Sequence, residues 1–147
     1  MFAPNQRCFD LARSIDVHMA STGSTNEKAI AGVITGLICK GETVTWKAKH
    51  LGFYHKLTTL ITEMEASQSF TDEQQKGPFK KIHHRHFFEF KNDRTIMTDV
   101  FEFESPFGII GKLFDKIYLQ KYLYRFLSSR NAVIKRIAES DEWRNYV

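Results

Sequence analysis

Residues 80–104 read KKIHHRHFFEFKNDRTIMTDVFEFE. Lys80 to Phe90 reads as a strand. Lys91-Asn92-Asp93-Arg94 reads as a hairpin turn, and Thr95 to Glu104 as the return strand. Successive side chains on a strand point to opposite faces. Ile82, His84, His86, Phe88 and Phe90 therefore share one face, and Lys81, His83, Arg85 and Glu89 share the other. The apolar members make the first face the inner one. On the return strand Asp99, Phe101 and Phe103 share a face that the aromatics again mark as inward. A one-residue slip would reverse the whole set.

Working toward the N-terminus, the period of two continues. Phe70 to Gln75 reads as a strand ending at Gly77-Pro78, where a bulge or bend is expected. His55 to Met64 and Thr43 to Lys49 read as strands, and Lys28 to Ile34 as a shorter one. Gly36 to Gly41 is a loop, and Ser21 to Asn26 a turn cluster. Before it, residues 4–22 have helical spacing in two short pieces. Cys8, Phe9, Leu11 and Ala12 form one stripe, Ile15, Val17 and Met19 another, with a break near Ser14-Ile15-Asp16. Consecutive strands with short turns imply an antiparallel sheet.

Working toward the C-terminus, Ser105-Pro106 opens a long helix, since Ser caps and Pro suits the first helical position. Ile110, Leu113, Phe114, Ile117, Leu123, Phe126, Leu127, Val133, Ile134 and Ile137 give it an apolar face. Lys112, Lys116, Lys121, Arg125, Arg130 and Lys135 occupy the rest. The spacing predicts one helix over roughly 107–139. The fold class is α+β: a curved antiparallel sheet of about six strands gripping this helix, with two short N-terminal helices. A curved sheet under a helix leaves room for a cavity.

The chain has 147 residues, enough for one domain that buries about 70% of its unfolded surface. Apolar residues are 42% and charged residues 26%, which excludes disordered and fibrous classes. Thirteen Phe bring aromatics to 14% and point to a large apolar interior. A net charge of +4 with 17 acidic residues interspersed lacks the one-sided basic patch of a nucleic-acid binder. Cys8 and Cys39 have no metal-like spacing and read as free thiols in a reducing compartment. Met1 to Asp10 has no apolar targeting core, and Ala29 to Cys39 is too short to span a bilayer. A cytoplasmic protein is expected.

The residues also carry a resemblance. Ala3-Pro4 with Cys8-Phe9-Asp10-Leu11, Gly41-Glu42-Thr43-Val44-Thr45-Trp46 with His50, Ile61-Thr62-Glu63-Met64, Gly77-Pro78-Phe79, His84-Arg85-His86-Phe87-Phe88, and Asp99 followed by Ser105-Pro106-Phe107-Gly108 are similar to a bacterial branch of the START, birch-pollen-allergen and polyketide-cyclase superfamily, which has the helix-grip fold. The resemblance spans nearly the whole chain, making 1–147 one helix-grip domain. It implies a ligand cavity but no particular function, because the superfamily includes carriers, cyclases and stress proteins. Members begin with a strand ahead of the Ala-Pro step, whereas here only Met1-Phe2 precede it. The resemblance therefore implies a sheet lacking that strand, with the strands at 28–34 and 95–104 each short of a neighbour. Either a gap remains there or a partner chain, such as a second copy, fills it.

Three readings compete for the inward His84, His86 and Asp99. His-x-His on a strand can begin a metal site. A buried His beside Asp can serve as an acid–base pair. The third reading, preferred here, is a satisfied polar cluster that fixes packing or holds a ligand's polar end. No metal and no cofactor are assigned. Glu63, Asp72 and Glu73 read as solvated strand residues. The expected function is binding of a small hydrophobic molecule such as a lipid, isoprenoid or polyketide-like compound. Its cavity would be lined by Trp46, Leu57, Ile61, Ile82, His84, His86, Phe88, Asp99, Phe101 and Phe103 of the sheet, and by Leu113, Ile117 and Tyr124 of the helix. The alternatives are a cyclase- or aromatase-type enzyme using His84, His86 and Asp99, and a regulatory interaction module. The last expects a filled interior and an exposed apolar patch.

Overall fold

Pro4 opens helix α1 (Asn5–Ala12), which buries Cys8, Phe9, Leu11 and Ala12. The chain breaks at Ser14, whose hydroxyl caps α2 (Ile15–Ser21) by accepting from the Val17 N–H. The computed structural model describes residues 1–106 and 108–147. Among these, six strands form one antiparallel sheet in sequence order: β1 (Lys28–Gly32), β2 (Thr43–His50), β3 (Phe53–Glu65), β4 (Ser69–Lys76), β5 (Lys81–Lys91) and β6 (Arg94–Glu104). Gly32 ends β1 with φ +74°, and a Cβ there would lie 2.1 Å from the Thr43 carbonyl oxygen, so only glycine fits. Register slips in β3–β4, beside Thr58 and Ile61, mark the bulged part of the sheet.

The inner face of β5 carries Ile82, His84, His86 and Phe88, all buried, while His83 and Arg85 lie on the outer face. Phe90 shares their parity but is 54% exposed, because β5 runs on past the elements that cover the sheet. Phe9 of α1 packs edge-on against Phe70 and Phe88, closing one part of the grip. Ile134, Ile137 and Ala138 complete this core from the C-terminal helix.

That helix is not continuous. It runs as α3 (Gly108–Phe114), a π-helical turn (Asp115–Leu119) and α4 (Gln120–Ala138), followed by a short 3₁₀ turn (Asp141–Asn145). A π turn adds a residue to the helical cycle and shifts the phase of what precedes it. The apolar stripe expected over 107–139 therefore holds only through α4. Ile109, Ile110, Leu113 and Ile117 face outward and are exposed. Phe107 and the side chains of Lys112, Asp115 and Lys116 lie outside the described residues.

β1 and β6 are the edges of the sheet. Met1 lies against the start of β6: the Met1 amine donates to the Thr95 carbonyl and the Thr95 N–H donates to the Met1 carbonyl, both at 2.8 Å. Strand alternation turns the N–H groups of Met97, Asp99, Phe101 and Phe103 toward the same open edge. Hydrogen exchange should find these four amides far less protected than those of Thr43–Lys49 in the interior strand β2. Equal protection in the monomer would contradict an open β6 edge.

Candidate functional site

The curved sheet, the π turn with α4, and the junction between α1 and α2 enclose a cavity of about 270 Å³. Its lining is mostly apolar, with Ile38, Val44, Trp46, Leu57 and Ile61 contributed from below and Leu119, Leu123, Phe126 and Leu127 from above. The helix residues recur at three- and four-residue intervals, as one face of an α-helix must. Phe114 and Leu119, five apart across the π turn, also line it.

Two polar clusters interrupt the apolar wall. On the β4–β6 side, cross-strand pairing sets His84 between Asp72 and Phe101, and His86 between Phe70 and Asp99. The two imidazoles and two carboxylates thus alternate across three strands. Asp72 Oδ2 is 3.1 Å from His86 Nε2, in a hydrogen bond, and 3.7 Å from His84 Nδ1. Asp99 Oδ1 is 2.6 Å from His86 Nδ1 and 3.3 Å from His84 Nε2. These last contacts have ion-pair distances but lack the alignment of hydrogen bonds, leaving His84 Nε2, His86 Nδ1 and Asp99 Oδ1 buried without one. The Asn131 amide donates to Asp99 Oδ2 from α4. Arg130 is buried beside it, its Nη2 donating to the Ala12 carbonyl at 2.9 Å.

Charge in this cluster is set by burial and neighbours. Burial favours the neutral acids, yet the His86 hydrogen bond and the charges of His84, His86 and Arg130 hold Asp72 below its ordinary value. Asp99 is likewise held well below the carboxylate range, its burial outweighed by His84, His86 and Arg130. Burial and then the His86 charge push His84 down to about 4. For His86, burial is outweighed by the two carboxylates, and its value is raised. The cluster thus sets two carboxylates held below their ordinary values against one imidazole pushed down, one pushed up, and the Arg130 guanidinium.

On the β1–β2 side, Glu27 takes contacts from His18 Nε2 and His50 Nε2, while His50 Nδ1 shares a 2.7 Å hydrogen bond with the Tyr122 hydroxyl. His18 stacks on Trp46 at 4.1 Å. Burial alone would raise Glu27, but the two histidines bring it to about 2.

The structure separates the residues expected to line the cavity into three groups. Trp46, Leu57, Ile61, Ile82, His84, His86 and Phe101 line it. Phe88 is buried in the aromatic cluster with Phe9 and Phe70 rather than on the wall. Asp99 stands behind the two histidines, and Phe103 packs against Phe79 and Phe101. Leu113, Ile117 and Tyr124, expected on the wall, are instead exposed. The π turn rotates the first two outward. Tyr124, one residue past Leu123, is carried about 100° round the helix. Residue type alone assigns Asp72 and Arg130 to solvent, yet both belong to the buried cluster. The signal for Asp72 is its parity with Phe70; for Arg130 it is the four-residue step to Ile134.

No family model and no curated protein matches the sequence. Solved structures do match. TTHA0849 from Thermus thermophilus superposes with a TM-score of 0.74 at 16% identity, over 94% of this chain and 93% of that one. Ginseng major latex-like protein 151 from Panax ginseng gives 0.66 at 15%, over 94% and 91%. Ara h 8.0201 gives 0.59 at 12%, over 91% and 92%. The chain shares the helix-grip fold of these three structures. At these identities the likeness is one of fold. Among the described residues, no helix of this helix-grip protein is long and apolar enough to cross a membrane.

In an NMR titration the His84 ring should stay neutral down to about pH 4, while His86 keeps its proton above the ordinary value of 6.5. His84 is depressed in the fold, so its contribution is present above pH 6.5 and is lost as pH falls toward 4. The raised value of His86 has the opposite sign, its contribution being lost as pH rises through the raised value. Arg130→Met leaves Asp72 and Asp99 without their guanidinium and should cost about 3 kcal/mol in denaturant unfolding. Adding Asp72→Asn should recover part of that loss. Additive losses would show that Arg130 does not act through the carboxylates.

Proposed function

We propose that this protein binds a small hydrophobic molecule, of the lipid, isoprenoid or polyketide-like class, between the sheet and α4. The observation that carries this is the 270 Å³ cavity itself, apolar over most of its wall with titratable groups gathered at two places. Trp46, Leu57, Ile61, Ile82 and Phe101 would contact the apolar body. His84 and His86, backed by Asp99, would meet a polar end. Cys8 and Cys39 as free thiols fit a cytoplasmic setting, and the open β6 edge fits pairing with a second copy.

Native mass spectrometry of freshly purified protein should detect a co-purifying small molecule. Leu57→Trp, which puts an indole into the cavity, should weaken binding of a fluorescent fatty-acid probe by about tenfold or more, or about 1.4 kcal/mol. A probe indifferent to this change would be bound elsewhere.

His84 and His86 on the cavity wall, with Asp99 behind them, support a second reading, a cyclase- or aromatase-type enzyme using these three residues. His84, whose value is pushed down, would take a proton and His86, whose value is raised, would supply one. An interaction module would expect a filled interior, and the cavity weighs against it.

A further inference from the structure

We propose that Asp72, His84 and His86 form a binding site for a divalent first-row transition-metal ion, with Asp99 orienting both imidazoles from behind. One donor atom from each of the three residues lies within 4.8 Å of the others. Asp72 Oδ2 is already 3.1 Å from His86 Nε2 and 3.7 Å from His84 Nδ1. Ligand atoms held about 2.0–2.2 Å from one ion are themselves about 3.0–3.6 Å apart, so slight ring movement suffices. All three side chains face the cavity, and Asp99 does not.

The placement of Asp99 is the telling feature. It touches the opposite nitrogen of each ring, His84 Nε2 at 3.3 Å and His86 Nδ1 at 2.6 Å. A histidine bound to a metal through one nitrogen usually donates its other N–H to a carboxylate, which fixes tautomer and ring orientation. Here one carboxylate serves two rings, held in turn by Asn131. A second observation points the same way. His84 Nε2, His86 Nδ1 and Asp99 Oδ1 are buried and lack aligned hydrogen bonds, an uncommon state for buried polar atoms. Loading an ion on the far nitrogens places an N–H on each nitrogen that faces Asp99, and the ring movement that seats the ion is what would align both with that oxygen.

The other cluster does not offer this. Glu27 lies between His18 and His50, and the second nitrogen of His50 is taken by Tyr122. Two imidazoles with one carboxylate suit Zn²⁺, Co²⁺ or Fe²⁺ better than Mg²⁺ or Ca²⁺. Three protein ligands leave positions open toward the cavity. That an oxygen of a bound hydrophobic ligand would take one of them rests on the ligand-binding reading above; the metal site does not.

The test is titration of metal-free protein with Co²⁺ and, separately, Zn²⁺, with no hydrophobic ligand added. One Co²⁺ per chain should bind with visible d–d absorption, and Zn²⁺ should bleach it. In isotope-labelled protein Co²⁺ should broaden the ring signals of His84 and His86 first, and those of His18, His50 and His55 less. His84→Gln should abolish the absorption, Asp99→Asn should weaken binding about 10–100-fold, and Glu27→Gln should leave it unchanged. Circular dichroism checks that each variant is folded; should one unfold, broadening in the wild-type protein decides. Absence of bands, or broadening centred on other histidines, overturns the proposal. Fatty-acid probe binding is measured on the same metal-free sample, so loss of either function is read independently.

Discussion

Two carboxylates buried between a sheet and a helix must be matched by positive charge, and this requirement ties the molecule together. Asp72 comes from β4, Asp99 from β6, and the histidines between them from β5. The guanidinium that balances them, Arg130, comes from α4 and reaches on to the last carbonyl of α1. An unpaired charge in such a place would cost several kcal/mol, so register, helix rotation and α1 position are fixed jointly. A slip of any one strand by a residue would turn its charged member to solvent and leave the others uncompensated.

The apolar contacts are arranged around that charged set. Phe9, Phe70 and Phe88 fill the space under α1 to one side of it, while the cavity opens under α4. Packed aromatics therefore hold the histidines rigid on one side, where Phe70 stacks on His86 at 4.1 Å, while the other side stays available to a guest. Rigid support on one side with open space on the other is what a binding site needs from its scaffold.

Much of this was legible in the sequence because strand parity is a strict rule. Alternation alone placed His84, His86, Asp99 and Phe101 on the inner side of the sheet. Helical periodicity was also sound within α4. It failed at Leu113 and Ile117 because it assumes a constant 3.6-residue cycle, and no proline or glycine warns of the π turn that breaks it. Asp72 and Arg130 were missed for a different reason. Their types favour solvent, and only a partner of opposite charge, far away in the chain, makes burial tolerable. Sequence patterns report local periodicity well and distant charge compensation hardly at all.

The π turn has a consequence in phase. One surplus residue in Asp115–Leu119 sets α3 about 100° out of step with α4. The same helix thus carries two apolar rows that do not line up: Phe114 with Leu119 to Leu127 turned to the cavity, and Ile109, Ile110, Leu113 and Ile117 turned to water. Wound as unbroken α-helix, the same residues would turn the α3 row back toward the sheet, whereas deleting one residue of the turn would let it close as α-helix and leave that row facing water. The helix is in effect two faces joined by a frameshift in the backbone.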